Sequence, residues 1–181
     1  MLQIVVPARE YWNETVGEFI YTKEQTLCLE HSLVSLSKWE EKWKKPFPLL
    51  RDRKITEAEM RYYIQCMTLT QNVDPNVYLS LSEENYKAIY EYIDDPMTAT
   101  TFLNDGKASS RQIITSELIY YWMIALNIPF ECKKWHLNRL LTLIRVCNIE
   151  NSPKKKKSQA TIMNENKQIN EMRRKQLNTK G

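Results

Sequence analysis

Residues 113–148 read IITSELIYYWMIALNIPFECKKWHLNRLLTLIRVCN, and this stretch decides the fold class. Ser109 and Gln112, just ahead of it, are spaced as a capping box. The residues that follow, up to Asn127, are apolar on nearly every side, which predicts a buried central helix. Ile128-Pro129-Phe130 then turns the chain. A second, amphipathic helix is predicted from the stripe Trp135, Leu137, Leu140, Leu141, Ile144 and Cys147.

Three further helices are predicted upstream, each from a capping residue followed by apolar residues three and four positions apart. The caps are Ser32, Thr56 with Glu59 in a capping box, and Ser82. Asp74-Pro75-Asn76 predicts a short turn of helix before the last of them. The stripes comprise Leu33, Leu36, Trp39 and Trp43, then Met60, Tyr63, Ile64 and Met67, then Tyr86, Ile89, Tyr90 and Ile93.

The first thirty residues have strand character. The runs 2–6, 19–22 and 26–29 are rich in apolar and β-branched residues, and Gly17 can supply a turn before the second run. These patterns predict an α+β domain, with a small N-terminal antiparallel β-sheet packed on a mostly helical body of about five helices. The predicted core is Leu27, Leu29, Leu33, Leu36, Ile64, Ile89, Ile114, Leu118, Trp122, Leu137, Leu141 and Ile144.

Composition and charge divide the chain at about residue 150. With 43% apolar and 10% aromatic residues in 181, the chain has enough apolar surface to form a core. Residues 1–150 contain 17 Lys and Arg against 20 Asp and Glu, a net charge of −3, and residues 151–181 contain 9 against 2, a net charge of +7. We therefore expect a globular domain over 1–150 and a basic linker and C-terminal arm over 151–181, flexible or marginally helical.

The expected compartment and the expected oxidation state of the cysteines are inferred from sequence features that are absent. No uninterrupted apolar run reaches about 18 residues, and the N-terminus has no basic region or cleavage pattern typical of a signal peptide. The expected compartment is the cytoplasm, with no membrane partner. Four widely spaced cysteines do not suit a disulfide scaffold and are expected to be reduced.

Motifs for catalysis or cofactor binding are weak. Gly106-Lys107 has no second glycine five residues earlier, as a phosphate-binding loop requires. The pairs Cys28 with His31 and Cys132 with His136 lack the Cys-x-x-Cys clustering typical of structural zinc, and neither histidine is placed as the base of a nucleophile. We expect no enzyme activity, no cofactor and no metal.

Two groups of residues could bind a partner. Trp39 and Trp43 lie one turn apart among lysines, which is typical of a single-stranded nucleic-acid surface, although packing of the pair on the sheet is the favoured interpretation. The basic arm offers cations to phosphates or to acidic side chains, with a merely solvated tail as the alternative. The partner-binding candidates are Lys154, Lys155, Lys156, Lys157, Arg173, Arg174, Lys175, Trp39 and Trp43.

The segments MTLTQNV (67–73), DPMTATTF (95–102) and above all 113–148 resemble a family encoded in the tail-gene region of long-tailed bacteriophages, the tail assembly chaperones. The resemblance covers most of residues 1–150. It implies a small, mostly helical, non-enzymatic protein of the host cytoplasm. Such a protein binds the tape-measure protein, helps tail-tube subunits polymerise around it, self-associates weakly and is absent from the mature virion.

The resemblance also implies a role for ribosomal frameshifting, because such chaperones are often made in two lengths. Lysine codons at Lys154–Lys157 could form the slippery site, and residues 151–181 would then depend on the reading frame. Two alternatives stay open. One is a structural virion component, such as a connector or tail completion protein. The other, ranked third because the body is acidic, is a nucleic-acid-binding regulator that uses the basic tail.

Overall fold

The computed structural model describes residues 1–13, 17–48, 55–102 and 113–152, with the single positions 163, 167 and 170. The chain forms two compact units, Met1–Asn148 and Ile149–Gly181. The described strands are β1 (Leu2–Val6), β2 (Arg9–Asn13), β3 (Glu18–Thr22) and β4 (Gln25–Leu29). The described α-helices are α1 (Leu33–Trp43), α2 (Glu57–Met67), α3 (Glu83–Asp94), α4 (Ser116–Ala125) and α5 (Leu137–Asn151). Short 3₁₀ helices span Pro75–Leu79 and Phe130–Lys134. The α+β prediction is confirmed.

The strands form two separate antiparallel pairs. β1 pairs with β4 in a register that places Leu2 opposite Leu29, and β2 pairs with β3. β2 was not predicted, because it lies between the first two apolar runs, where only a turn at Gly17 was expected. Gly17 does adopt the positive φ expected of it, at 71°. The β1–β4 pair supplies the core with Ile4, Val6, Leu27 and Leu29.

Three predicted helix caps are confirmed, and each closes a reciprocal pair of hydrogen bonds. The backbone N–H of Ser32 donates to Ser35 Oγ at 2.8 Å, and that of Thr56 donates to Glu59 Oε2 at 3.0 Å. Ser82 is bonded in the same way to Asn85 Oδ1 at 3.2 Å. These local signals therefore start α1, α2 and α3 at the predicted positions.

The core lies between the β1–β4 pair and the helices. Its buried members include eight predicted residues, namely Leu27, Leu29, Leu33, Leu36, Ile64, Ile89, Leu137 and Ile144. The other four, Ile114, Leu118, Trp122 and Leu141, are only half-buried.

The prediction that α4 is buried on nearly every side is wrong. Its buried residues are Ser116, Ile119 and Met123, whereas Tyr121 and Ile124 are 63% and 61% exposed. The helix packs against α1 on one side. Its opposite side is therefore exposed, although the residues there are also apolar. Thr115 caps α4, and the predicted cap at residues 109 and 112 lies outside the described residues.

None of the described helices is both long enough and apolar enough to cross a membrane.

Candidate peptide-binding groove

An open groove of about 950 Å³ lies between α2, α3 and the chain just after α1, and we call it the α2–α3 groove. Phe47, Met60 and Ile93 are buried and form its apolar floor. Tyr86 and Tyr90 of α3 form a wall, with Tyr90 40% exposed. Aromatic side chains of this kind offer a large contact area together with a polar tip.

The groove continues past the N-terminal end of α2. A smaller cavity of about 320 Å³ adds Thr56 and Glu57 and shares Ile55, Met60, Tyr86 and Tyr90 with the α2–α3 groove. The groove lining is therefore extended along α3, from Glu83 to Asp94, and closed on the other side by the first turns of α2.

An ion pair and a hydrogen bond at Glu59 hold α1 and its C-terminal flank against α2. Lys45 Nζ lies 2.6 Å from Glu59 Oε1, and the indole N–H of Trp39 donates to the Glu59 backbone oxygen at 3.0 Å. The hydrogen bond from Lys45 keeps the pKa of Glu59 below its ordinary value. One side of the groove is thus anchored by a buried carboxylate whose charged form is stabilised.

The α3 side of the groove is acidic. Glu83, Glu91, Asp94 and Asp95 line it with a single cation, Lys87. All five side chains are exposed, and within the described residues none of them forms an ion pair.

Three of these carboxylates lie where a helix least favours negative charge. Glu91 and Asp94 belong to the last turn of α3, Asp95 is its C-cap, and the turn contains no basic residue. The C-terminal end of a helix carries a partial negative charge, and here Asn138 Nδ2 donates hydrogen bonds to the carbonyl oxygens of Ile93 and Asp95. The carboxylates themselves are left without a cation at this end of the groove among the described residues.

A second apolar surface lies on α4. Tyr121 and Ile124 point away from the core at one-turn spacing, and Phe130 in the following 3₁₀ helix is 50% exposed. Exposed apolar residues grouped in this way typically mark interaction surfaces.

The β2–β3 pair carries an exposed aromatic face. Trp12 lies opposite Phe19 across the pair, with ring centroids 5.0 Å apart in an edge-to-face arrangement. Both rings and that of Tyr21 are more than half exposed. The pair is held to the rest of the domain by a bond of 2.8 Å between the buried hydroxyls of Thr22 and Ser80.

A polar cluster is buried at the centre of the domain. His31 Nδ1 lies 2.6 Å from the Tyr63 hydroxyl, and the rings of His31 and His136 are 5.0 Å apart. His136 Nε2 is bonded to the Tyr92 carbonyl oxygen at 3.0 Å, while its Nδ1 is buried without a partner. Burial lowers the pKa of His31 to about 3 and also lowers that of His136. Both imidazoles are neutral in the folded protein, and their bonds orient the packing of α2, α3 and α5.

The two tryptophans that were predicted as partner-binding candidates differ in burial. Trp39 is fully buried, so its ring has no open face for a base or a partner. Trp43 is half-buried, with its ring centroid 6.3 Å from that of Trp39. The interpretation of Trp39 as a packing residue is the one that its burial supports. The basic candidates Lys154, Lys155, Lys156, Lys157, Arg173, Arg174 and Lys175 lie outside the described residues.

Sequence reasoning missed the α2–α3 groove because it assigned Tyr90 to the inner side of α3. A signal was nevertheless present, since Glu83, Lys87, Glu91 and Asp94 recur at three- and four-residue spacing along one helix face. That charge pattern indicates the solvent-facing side of α3. Tyr86 and Tyr90 lie next to these charged residues in the sequence, which indicates that aromatic side chains border this exposed side.

Comparison of the chain with protein-family models, with curated protein sequences and with solved structures finds no match. Among the described residues, no group of three or more His, Cys, Asp and Glu side chains is arranged to hold a metal ion.

Proposed function

We propose that this protein is a non-enzymatic tail assembly chaperone of a long-tailed bacteriophage. It binds the tape-measure protein in the host cytoplasm and promotes assembly of the tail tube around it, and it is not retained in the mature virion. The resemblance of residues 67–73, 95–102 and 113–148 to that family supplies the proposed partner.

The observation that carries the proposal is that aromatic and apolar side chains stay open on a folded domain. In the α2–α3 groove, Tyr86 and the 40% exposed Tyr90 lie over the buried Phe47, Met60 and Ile93. The exposed side of α4 adds Tyr121 and Ile124. Concave surfaces with aromatic walls of this kind can hold apolar segments of a partner.

This geometry suits a chaperone because a tape-measure protein is long and must be kept from aggregating before it is enclosed. An elongated groove can hold one amphipathic helical segment at a time, with apolar side chains inserted toward the groove floor. Many copies of the chaperone could then cover successive segments. Weak contacts at each segment allow the growing tube to displace them.

One observation favours a structural virion component as the second candidate. The aromatic face of Trp12, Phe19 and Tyr21 on the β2–β3 pair resembles the exposed face of a subunit that contacts other subunits. A connector or tail completion protein would bury such a face permanently, whereas a chaperone would use it transiently.

The test is co-expression of the full chain with the tape-measure protein of the same genome, followed by affinity purification. Soluble tape-measure protein that co-purifies, and that precipitates when expressed alone, is the expected result. A variant with Lys154–Lys157 changed to glutamine measures what the basic arm adds.

Mass spectrometry of purified particles separates the two candidates. The chaperone proposal predicts no stoichiometric amount of this chain in the mature virion. Failure to co-purify with the tape-measure protein, together with a fixed copy number in particles, would replace it with the structural candidate.

A further inference from the structure

We propose that the α2–α3 groove binds a basic amphipathic helix of a partner protein, with apolar side chains on the groove floor and lysine or arginine side chains on the acidic side of α3. This inference rests on the proposed function only in so far as the tape-measure protein would supply such a helix. The groove, its charge and its occupant are otherwise argued from this chain alone.

The shape of the groove fits a helix. Its α3 side extends from Glu83 to Asp94, a length of about 17 Å at the rise of an α-helix. A partner helix of about three turns laid along it would present apolar residues at positions i, i+3, i+4 and i+7 to the open side of the groove, above the buried Met60 and Ile93. Tyr86 and Tyr90 would then pack beside the inserted side chains.

The charge of the groove selects a cationic partner. Four carboxylates and one ammonium group line it, and no ion pair among the described residues neutralises those carboxylates. An acidic or neutral helix would leave them unpaired in a partly desolvated site, whereas a basic helix would pair them.

The position of three of these carboxylates on α3 also favours a cationic partner. Glu91, Asp94 and Asp95 are gathered at the C-terminal end of α3, where the helix dipole opposes negative charge and no basic side chain compensates. Cations brought by a partner would pair with these exposed carboxylates.

The first experiment measures binding of designed peptides to the full chain by fluorescence anisotropy. The basic probe is a labelled peptide of about four helical turns, with leucine at i, i+3, i+4 and i+7 spacing and lysine elsewhere. A second peptide replaces each lysine with glutamate. A third keeps the basic composition but scrambles the leucine stripe, which controls for charge attraction alone.

The expected result is that the basic amphipathic peptide binds at least about tenfold more tightly than either control peptide. High salt should weaken its binding, because the contacts on the α3 side are exposed. Equal binding of the basic and acidic peptides, or of the ordered and scrambled ones, would overturn the proposal.

Variants on the α3 side are expected either to weaken or to strengthen peptide binding. The double substitution Glu91→Gln with Asp94→Asn should weaken binding of the basic peptide about tenfold, and Lys87→Glu should strengthen it about threefold. A matched control, Glu10→Gln with Glu18→Gln, removes two exposed carboxylates from the β2–β3 pair and should leave binding unchanged. All these positions are exposed, so circular dichroism should report an intact fold. Loss of the expected order among the variants would show that the peptide binds elsewhere.

The chain's own basic arm is the competing occupant. Changing Lys154–Lys157 to glutamine in the full chain should leave peptide affinity unchanged. A gain of tenfold or more would identify the arm as the occupant of the groove and overturn the partner-helix proposal.

The same variants keep this inference separable from the proposed function. Co-purification of the tape-measure protein with the wild type but equally with the Glu91→Gln, Asp94→Asn variant would remove the groove proposal and leave the chaperone proposal in place. Peptide binding that follows the expected order, without any co-purification, would do the reverse.

Discussion

Glu40 in α1 accepts a hydrogen bond at Oε2 from the backbone N–H of Ser116, 2.7 Å away and 76 residues later in the chain. Its other oxygen, Oε1, accepts from the backbone N–H of Phe47 at 3.1 Å. One buried carboxylate thus satisfies the first turn of α4 and the chain that leads into the α2–α3 groove. The negative charge also lies at the N-terminal end of α4, where the helix dipole favours it.

Replacing this carboxylate should therefore destabilise the domain. We expect Glu40→Ala to lower the free energy of unfolding by about 2–4 kcal/mol, because two buried N–H groups lose their acceptor. Urea denaturation followed by circular dichroism measures the change. Glu41→Ala on the exposed side of the same helix is the control and should change stability by no more than about 0.5 kcal/mol. Equal effects of the two substitutions would contradict a connecting role for Glu40.

The buried histidines predict a loss of stability in mild acid. The pKa of His31 is about 3 in the folded protein, and that of His136 is also lowered. In the unfolded chain both histidines have pKa values near about 6.5. Their contribution is complete above that value and is lost as the pH falls toward the folded value, because only the unfolded state takes up the protons. Protonation would also place a second, unpartnered N–H of His136 in the core.

Between about pH 6 and pH 5, His31 should lower the free energy of unfolding by about 1.4 kcal/mol per pH unit, and His136 should add to the loss in the same direction. Urea denaturation at a series of pH values measures the slope. The titratable and charged groups around the pair are Tyr63, Tyr92, Glu30, Asp95 and the N-terminal amine. His31→Gln keeps a partner for the Tyr63 hydroxyl and should remove about 1.4 kcal/mol per pH unit from the slope. A slope that stays at its wild-type value in that variant would rule out His31 as a source.

Trp39 and Trp43 should respond differently to substitution. Trp39→Phe removes a fully buried indole and its bond to the Glu59 carbonyl oxygen, so we expect a loss of about 1–3 kcal/mol in unfolding free energy. Trp43 is half-buried and its indole N–H has no partner, so Trp43→Phe should cost less than about 1 kcal/mol. Thermal and urea denaturation provide both values. A Trp39→Phe protein of wild-type stability that failed to bind a partner would restore Trp39 as an interaction residue.

The exposed side of α4 should matter for association rather than for folding. We expect Tyr121→Ser with Ile124→Ser to change stability by less than about 1 kcal/mol, since both side chains are already largely in water. The same variant should reduce self-association, measured by sedimentation velocity, or co-purification of the tape-measure protein. Ile119→Ala on the buried side of the helix is the contrasting variant and should cost about 2–5 kcal/mol. Unchanged association in the double variant would exclude this surface.

The sequence by itself determined the features that depend on only a few neighbouring residues. The caps at Ser32, Thr56 and Ser82 start three helices where predicted, because a side-chain acceptor three residues from its donor acts without help from the rest of the fold. The alternating apolar residues of β1 and β4 likewise identified both strands, and most of the predicted core is buried.

Tertiary structure alone decided which strands pair, which side of α4 is covered and where the groove opens. β4 pairs with β1 rather than with its neighbour in sequence, which leaves β2 and β3 as a separate pair. A helix that is apolar on all sides has no sequence period that shows which side faces the core. In α4 the buried side is set by the hydrogen bond from Ser116 to Glu40 and by packing on α1. The α2–α3 groove, with Tyr90 exposed beside Asp94, arises between elements far apart in the chain. Its existence depends on how closely those elements pack, which no local pattern of residues records.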